Sequence, residues 1–184
     1  MAQTRITAGA WRGRLIDTPP GLGMRPTRSM VREALFNILG GRVVDAHVVD
    51  LYAGAGSLGF EALSRGAASA TFVERHRGAL DLIGHTAERL GCAGRVRIVA
   101  ADVIDWLRRR PVELHRAHIC LVDAPYRDQA VLEALRLLGE APPPLVVCEH
   151  HHARTLPDEI GGLRVFRQAR YGLTDLSLYQ GKKS

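Results

Sequence analysis

The sequence predicts an α/β fold, with a mostly parallel sheet covered by helices on both faces. An antiparallel C-terminal hairpin closes the sheet, and a small N-terminal β-hairpin precedes it. Three observations carry this expectation. From about Val43 onward, short apolar runs alternate with stretches of helical period, which is the mark of βαβ units. A glycine-rich turn, Gly54-Ala55-Gly56-Ser57-Leu58-Gly59, separates the first such run from the first helix of the alternation. Both ends of the chain depart from the alternation and read as strand pairs around glycine turns.

At the start, Arg5-Ile6-Thr7-Ala8 and Arg14-Leu15-Ile16 flank Gly9 and Gly13 and suggest the first hairpin. Arg25-Pro26-Thr27 then leads into a helix that Thr27 or Ser29 can cap. Its apolar stripe is Val31, Leu35, Ile38 and Leu39, and Gly40-Gly41 ends it. Val48-Val49-Asp50-Leu51 is a buried-strand run, followed by the glycine turn and a helix from Leu58 to Ser64. Ala70-Thr71-Phe72-Val73 is the second strand. Ala79, Leu80, Ile83, Ala87 and Leu90 then recur at helical spacing until Gly91. Val96-Arg97-Ile98-Val99, Ile119-Cys120-Leu121-Val122 and Leu145-Val146-Val147-Cys148 are the third to fifth strands. A helix carrying Val131, Leu132, Leu135 and Leu138 lies between the last two, and Pro142-Pro143-Pro144 ends it. Finally, Arg164-Val165-Phe166-Arg167 and Leu176-Ser177-Leu178-Tyr179 flank Tyr171-Gly172-Leu173-Thr174 as the closing hairpin. The expected organisation is an extension over residues 1–24 and a main domain over 25–184.

Composition narrows the function classes. Hydrophobic residues at 46 % fill a real core, and charged residues at 24 % suit a soluble globular chain. No apolar run approaches the ~20 residues needed to cross a bilayer, and Met1-Ala2-Gln3-Thr4-Arg5 precedes no apolar signal region. Cys92, Cys120 and Cys148 are odd in number and far apart, which argues against a disulfide framework or a zinc site. A cytoplasmic location, no membrane partner and no metal are expected. Net charge is +6, and residues 1–44 hold seven arginines against Asp17 and Glu33, so the excess is concentrated there. Such a focus suits a polyanion, because cations set against phosphates release counterions. A solvated face is the alternative reading.

The glycine turn has the G-x-G-x-x-G spacing directly after a strand and at the start of a helix. There, backbone N–H groups can approach a ligand at the helix N-terminus, although a purely structural turn also fits. Glu74 lies 18 residues beyond Gly56, at the end of the next strand, where a carboxylate can accept hydrogen bonds from ribose hydroxyls. The acid at the end of the first strand separates two cofactor classes. Asp50 repels a pyrophosphate but attracts the sulfonium and ammonium of S-adenosylmethionine (SAM). The run Asp50-Leu51-Tyr52-Ala53-Gly54-Ala55-Gly56 resembles motif I of class I SAM-dependent methyltransferases. Asp102 after the third strand is the position at which such enzymes bind the adenine amine. It equally reads as the N-cap of the helix from Val103 to Leu107.

The fourth strand ends in Asp123-Ala124-Pro125-Tyr126, at the sheet edge where open α/β folds bind ligands. An exocyclic base amine is a weak nucleophile because its lone pair is delocalised into the ring. A carboxylate and a backbone carbonyl that accept its two N–H bonds localise that pair toward a methyl group. Pro125 fixes φ and removes a competing donor, and Tyr126 offers a face for a flipped-out base. The tetrapeptide resembles the [N/D/S]-P-P-[Y/F/W] motif of amino-methyltransferases, with Ala124 in place of the first proline. A loop with a capping Asp is the alternative.

The resemblance then narrows to one family. Arg5-Ile6-Thr7-Ala8-Gly9 with Trp11-Arg12-Gly13-Arg14-Leu15, Arg25-Pro26-Thr27, and Val31-Arg32-Glu33-Ala34-Leu35-Phe36-Asn37 resemble the opening signature of the RsmD family of bacterial 16S ribosomal RNA guanine-N2 methyltransferases. The glycine turn, the Asp123 loop and Tyr171-Gly172-x-Thr174 continue the match. The resemblance implies a Rossmann-like class I methyltransferase fold with a seven-stranded sheet. It also implies transfer of a methyl group from SAM to N2 of one guanine in 16S rRNA of the small subunit, by a monomer. Asp50, Tyr52, Ala53, Gly54, Gly56, Glu74 and Asp102 would hold the cofactor, with Arg25 and Thr27 close to it. Asp123, Ala124, Pro125 and Tyr126 would form the catalytic loop. Arg5, Arg12, Arg14, Arg28 and Arg32 would grip rRNA, and Tyr171 and Thr174 would either shape the base pocket or simply pack the hairpin.

Competing readings are methylation of adenine N6 in DNA, an NAD-dependent Rossmann oxidoreductase, and a non-catalytic RNA-binding factor. Glu149-His150-His151-His152 lacks the spacing of a metal site and is expected as a solvated strand end. Arg108-Arg109-Arg110 suits a helix C-terminus as well as RNA, and Trp106 is expected in the core.

Overall fold

Two short strands, β1 (Ala2–Arg5) and β2 (Leu15–Thr18), open the chain as an antiparallel hairpin. The computed structural model describes residues 2–19, 26–124 and 129–182, with residues 26–28 described by backbone alone. Helix α1 (Pro26–Leu39) follows and leads into β3 (His47–Leu51). The alternation then runs α2 (Ser57–Ser64), β4 (Ser69–Glu74), α3 (Arg77–Arg89), β5 (Val96–Ala100), α4 (Val103–Arg108) and α5 (Val112–His115). It continues through β6 (Ile119–Val122), α6 (Ala130–Glu140) and β7 (Leu145–His151). Strands β8 (Glu159–Ile160), β9 (Leu163–Tyr171) and β10 (Thr174–Gly181) close the chain.

The large sheet has the order β5-β4-β3-β6-β7-β10-β9-β8. Strands β3 to β7 are mutually parallel, whereas β10 pairs antiparallel with both β7 and β9. Seven strands and the closing hairpin follow the expectation. The two-residue β8 adds an eighth at the edge, made by a turn in which Gly161 has φ 57°. The order reverses between β3 and β6. Crevices at the carboxyl ends of strands form at such a switch point.

Each face of the sheet carries its own core. On one face Val31, Leu35 and Phe36 of α1, Phe60 and Leu63 of α2, and Ile83 of α3 pack together, joined by Ile6 and Ile16 of the N-terminal hairpin. The hairpin therefore shares the core of the main domain. On the other face Trp106, Leu114, Val131, Leu135 and Leu138 pack with Tyr179 of β10, whose hydroxyl donates to the Pro157 carbonyl at 2.9 Å. Trp106 is a core residue, as expected. The three cysteines are buried, and burial pushes the Cys120 thiol up to about 12.

Two local expectations change. The first hairpin was expected to pair through Ala8, but its backbone pairing ends at Ile6, which bonds Arg14 and Gly13, because the Thr7 and Ala8 N–H groups turn to donate to Glu61 of α2. The fifth strand was expected to stop at Cys148 with a solvated histidine run beyond it. Instead β7 continues to His151, and His150 is only 5 % exposed with its Nε2 2.9 Å from Ser177 Oγ. Pairing with β10 extends it, because Asp175 and Thr174 lie opposite His150 and His151. Of the Arg108 to Arg110 run, Arg108 pairs with Asp105 and Glu133, and Arg110 pairs with Glu140.

Candidate functional site

The glycine turn is built by three left-handed residues. Tyr52, Gly54 and Gly56 have φ 59°, 54° and 79°, a region that costs a side chain roughly 1–2 kcal/mol. Tyr52 accepts this conformation while its ring packs against the second core. A Cβ at Gly56 would come within 2.8 Å of Phe72 Cε1 and 2.9 Å of Phe60 Cε2, and one at Gly59 within 2.3 Å of the same Phe72 atom. Those two glycines let α2 lie close to Phe72 of β4, whose ring centroid is 4.9 Å from that of Phe60 on α2. Gly54 differs, since among the described residues a Cβ there would meet nothing within 4 Å. Open space over this turn is what a ligand at a helix N-terminus requires.

Two carboxylates hold the turn from below. Asp50 is 1 % exposed and accepts the Gly59 N–H at 2.9 Å, which pins the first turn of α2 to the end of β3. Burial pushes its carboxyl well above the usual carboxylate range, and the nearby charges of Asp123 and Glu74 push it the same way. Glu74 accepts the Gly54 N–H at 2.9 Å on one oxygen and the Arg75 and His76 N–H groups at 2.8 and 2.9 Å on the other. A carboxylate has about four acceptor positions, so these bonds leave roughly one for a ribose hydroxyl.

Asp102 caps α4, accepting the Ile104 and Asp105 N–H groups at 2.9 and 3.3 Å through one oxygen. Its other oxygen lies 3.5 Å from the Arg75 guanidinium. Ala53 ties the turn sideways to β4 through a bond from its N–H to the Val73 carbonyl at 3.2 Å.

Asp123 stands beside the turn. Strands β3 and β6 are parallel neighbours with Leu51 opposite Val122, and the Asp123 N–H reaches the Leu51 carbonyl at 3.5 Å. The acid that opens the fourth-strand loop is thus one residue beyond the strand pair that carries the glycine turn. The two motifs, far apart in sequence, share one edge of the sheet. Ala124 is 4 % exposed and packs into the second core, where its methyl fills space. Pro125 and Tyr126, like Arg25, lie outside the described residues, as do the side chains of Thr27 and Arg28.

Of the remaining arginines read as RNA contacts, Arg5, Arg12 and Arg14 are exposed on the N-terminal hairpin. Arg32 is not available for that role. It is 5 % exposed, donates to the Arg5 carbonyl at 2.6 Å and to Thr4 Oγ1 at 3.2 Å, and pairs with Glu61 at 3.4 Å. Its position on the core-facing side of α1, one residue after Val31, turns it inward. Burial lowers its pKa from the ordinary arginine value, and Glu61 opposes that shift. Tyr171 packs against the first core and Thr174 is 7 % exposed, so both build the hairpin.

Glu61 is the residue that sequence reading missed. It is fully buried and accepts Thr7 Oγ1 at 2.6 Å, the Thr7 and Ala8 N–H groups at 2.9 and 3.1 Å, and Arg65 Nε at 2.8 Å. A signal was present: a lone carboxylate in the apolar run Leu58 to Leu63, four residues before an arginine.

With this arrangement in view, comparisons with known proteins agree on its kind. The family model described as conserved hypothetical protein 95 matches residues 4–180. Ribosomal RNA small subunit methyltransferase D of Escherichia coli (strain K12) is 35 % identical over 182 residues, covering 97 % of this chain and 90 % of that protein. The protein of the same name from Haemophilus influenzae is 33 % identical over 139 residues, covering 75 % of this chain and 72 % of its own length. The solved structure of yhhF from Escherichia coli superposes with a TM-score of 0.86 at 32 % identity, covering all of both chains. The chain therefore belongs to the conserved hypothetical protein 95 family, the family of ribosomal RNA small subunit methyltransferase D.

Proposed function

We propose that this chain transfers a methyl group from SAM to the exocyclic N2 amine of one guanine in 16S rRNA of the small ribosomal subunit. The observation that carries this reading is the adjacency of Asp123 to the glycine turn across the β3–β6 pair. The residues present fit the cofactor. Open space stands over Gly54, a buried acid ends β3, and Glu74 retains acceptor capacity at the end of β4. When bound, SAM supplies an electrophilic methyl carbon on a sulfonium.

The chain supplies the rest. The turn over Tyr52, Ala53, Gly54 and Gly56 holds the donor, Asp50 offers negative charge toward its cationic end, and Glu74 and Asp102 hold the nucleoside end. Arg25 and Thr27 lie close to the donor in this reading. Asp123 accepts one amine N–H, the Ala124 carbonyl accepts the other, and Tyr126 stacks on the base while Pro125 stiffens the loop. Holding both reactants in line supplies much of the rate through proximity. The proton leaving the amine passes to Asp123 or to water.

Residues 1–24 form an RNA-contacting extension and residues 25–184 the catalytic domain. The extension's tip bonds Ser64, the last residue of α2. Arg12 and Arg14 thus sit about one helix length, ~12 Å for eight residues, from the glycine turn. Arg5 and Arg28 are read as further contacts to the same rRNA. No helix among the described residues is long and apolar enough to cross a membrane, and we place the enzyme in the cytoplasm as a monomer.

Labelled methyl transfer from SAM to small subunits lacking the modification, followed by nucleoside digestion, tests the proposal. N2-methylguanosine is expected, and Asp123→Ala should lower transfer about 100-fold or more while SAM still binds. Label in N6-methyladenosine, or no label in RNA, overturns it.

A further inference from the structure

The tip of the N-terminal hairpin is fastened more tightly than its place on the surface requires. Exposed loop tips are ordinarily among the first parts of a fold to open. Here one buried residue, at the C-terminal end of α2, makes three bonds to the tip. Ser64 Oγ donates to the Ala8 carbonyl at 2.6 Å and accepts the Trp11 N–H at 3.0 Å, and the Ser64 carbonyl accepts the Ala10 N–H at 2.8 Å. Gly9, at φ 82°, lies so close that a Cβ would overlap the Ser64 carbonyl. The Trp11 ring packs against the first core, with the Arg95 guanidinium over it at 5.2 Å from the centroid.

What this clamp presents is positive charge. Arg12 and Arg14 follow Trp11, are exposed, and form no ion pair among the described residues. Their backbone is closed into a turn by the Arg12 N–H on the Gly9 carbonyl at 3.2 Å and the Arg14 N–H on the Trp11 carbonyl at 3.0 Å. Attraction between cations and phosphates needs no such fixing, because it is carried by charge and not by shape. A fixed tip matters when phosphate contacts set the register of an RNA on the protein. The other fixed point is the start of α2, where Asp50 holds the Gly59 N–H beside the glycine turn. The backbone that carries Arg12 and Arg14 and the turn that holds the donor in the proposed function thus stand at a set separation, with α2 as the spacer.

We propose that Ser64 is a positioning residue for RNA. By clamping the hairpin tip to α2, it fixes the reach from the phosphates gripped by Arg12 and Arg14 to the methyl donor, and so helps select the guanine that is methylated. This role rests on the reading of the chain as an RNA methyltransferase, and its test separates the two.

The test is a double-mutant cycle on the full chain. Wild type, S64A, R12A/R14A and the combined variant are compared in methyl transfer to small subunits lacking the modification, with SAM affinity measured by calorimetry. S64A removes both Oγ bonds, and G9A, which forces the tip away from the Ser64 carbonyl, repeats the cycle through a different residue. In the wild-type background either substitution should raise the KM for subunits about tenfold, since a misplacement of roughly 1 Å can cost up to about 100-fold. Both kcat and SAM affinity should stay within about twofold of wild type. In the R12A/R14A background the same substitutions should change KM less than about twofold, because the clamp acts through those two side chains. A merely structural role instead gives the same factor in both backgrounds, and that result overturns the proposal. So does a KM within about twofold of wild type for both S64A and G9A, or a loss of SAM affinity that accounts for the impairment. If wild-type enzyme itself transfers no methyl to RNA, the proposed function falls and the role of Ser64 falls with it.

Discussion

The Glu61 carboxylate accepts the Thr7 hydroxyl at 2.6 Å, and this bond joins the N-terminal hairpin to the helix that follows the glycine turn. On the same helix, two residues earlier, the Gly59 N–H is held by Asp50. Hairpin and glycine turn are thus fixed to the same short helix, within one turn of each other. Arg32 and Arg65 complete the cluster around Glu61, and Arg65 also donates to Thr7 Oγ1 at 3.0 Å.

Removing that carboxylate leaves two guanidiniums and two backbone N–H groups without their acceptor. Glu61→Ala should destabilise the chain by about 3–5 kcal/mol, the usual cost of breaking a buried ion pair. The hairpin should also become the first site of cleavage in limited proteolysis. Urea unfolding and mapping of the first proteolytic fragment check both expectations.

Gly59 is a matter of space, because its φ is ordinary. A single methyl there must displace the Phe72 ring at 2.3 Å and with it the Phe60 contact. Gly59→Ala should cost about 1–3 kcal/mol by overpacking and weaken SAM binding, since the turn of α2 that Asp50 holds must move. Thermal melts with and without SAM measure both effects.

Asp50 gives a pH signature whose sign follows from its raised pKa. The folded chain keeps the proton to higher pH than the unfolded chain does. Stability therefore falls as pH rises from the ordinary carboxylate range to the raised value, and is level above it. A cationic ligand favours the ionised form, so SAM affinity should rise with pH across the same window. Asp50→Asn, which retains an acceptor for Gly59, should flatten both dependences in urea titrations and in calorimetry.

The cysteines should be silent in the fold. Burial raises the thiols of Cys92, Cys120 and Cys148, that of Cys120 to about 12, so little thiolate exists at neutral pH. Alkylation at pH 8 should be negligible in the native protein and complete at all three positions in denaturant, as mass spectrometry would show.

Much of this chain is written locally. Strand β6 has the limits that its four apolar residues suggest, and α6 carries the stripe from Val131 to Leu138. The glycine spacing, the acid of Asp50 and the loop opened by Asp123 were legible too, because each depends on residue type and on neighbours within a turn or two. Position relative to distant elements was not legible. Arg32 looks like any helix arginine until Glu61, 29 residues later, is seen to face it. His150 looks like a solvated strand end until Ser177 is found opposite, because pairing with β10 lengthens β7. The sequence by itself determined the alternation, the turn chemistry and the family. Only the tertiary structure decided which charged side chains are spent inside the protein and which remain for a ligand. Burial and pairing energies depend on partners brought together by the sheet order, and periodicity along the chain carries no record of them.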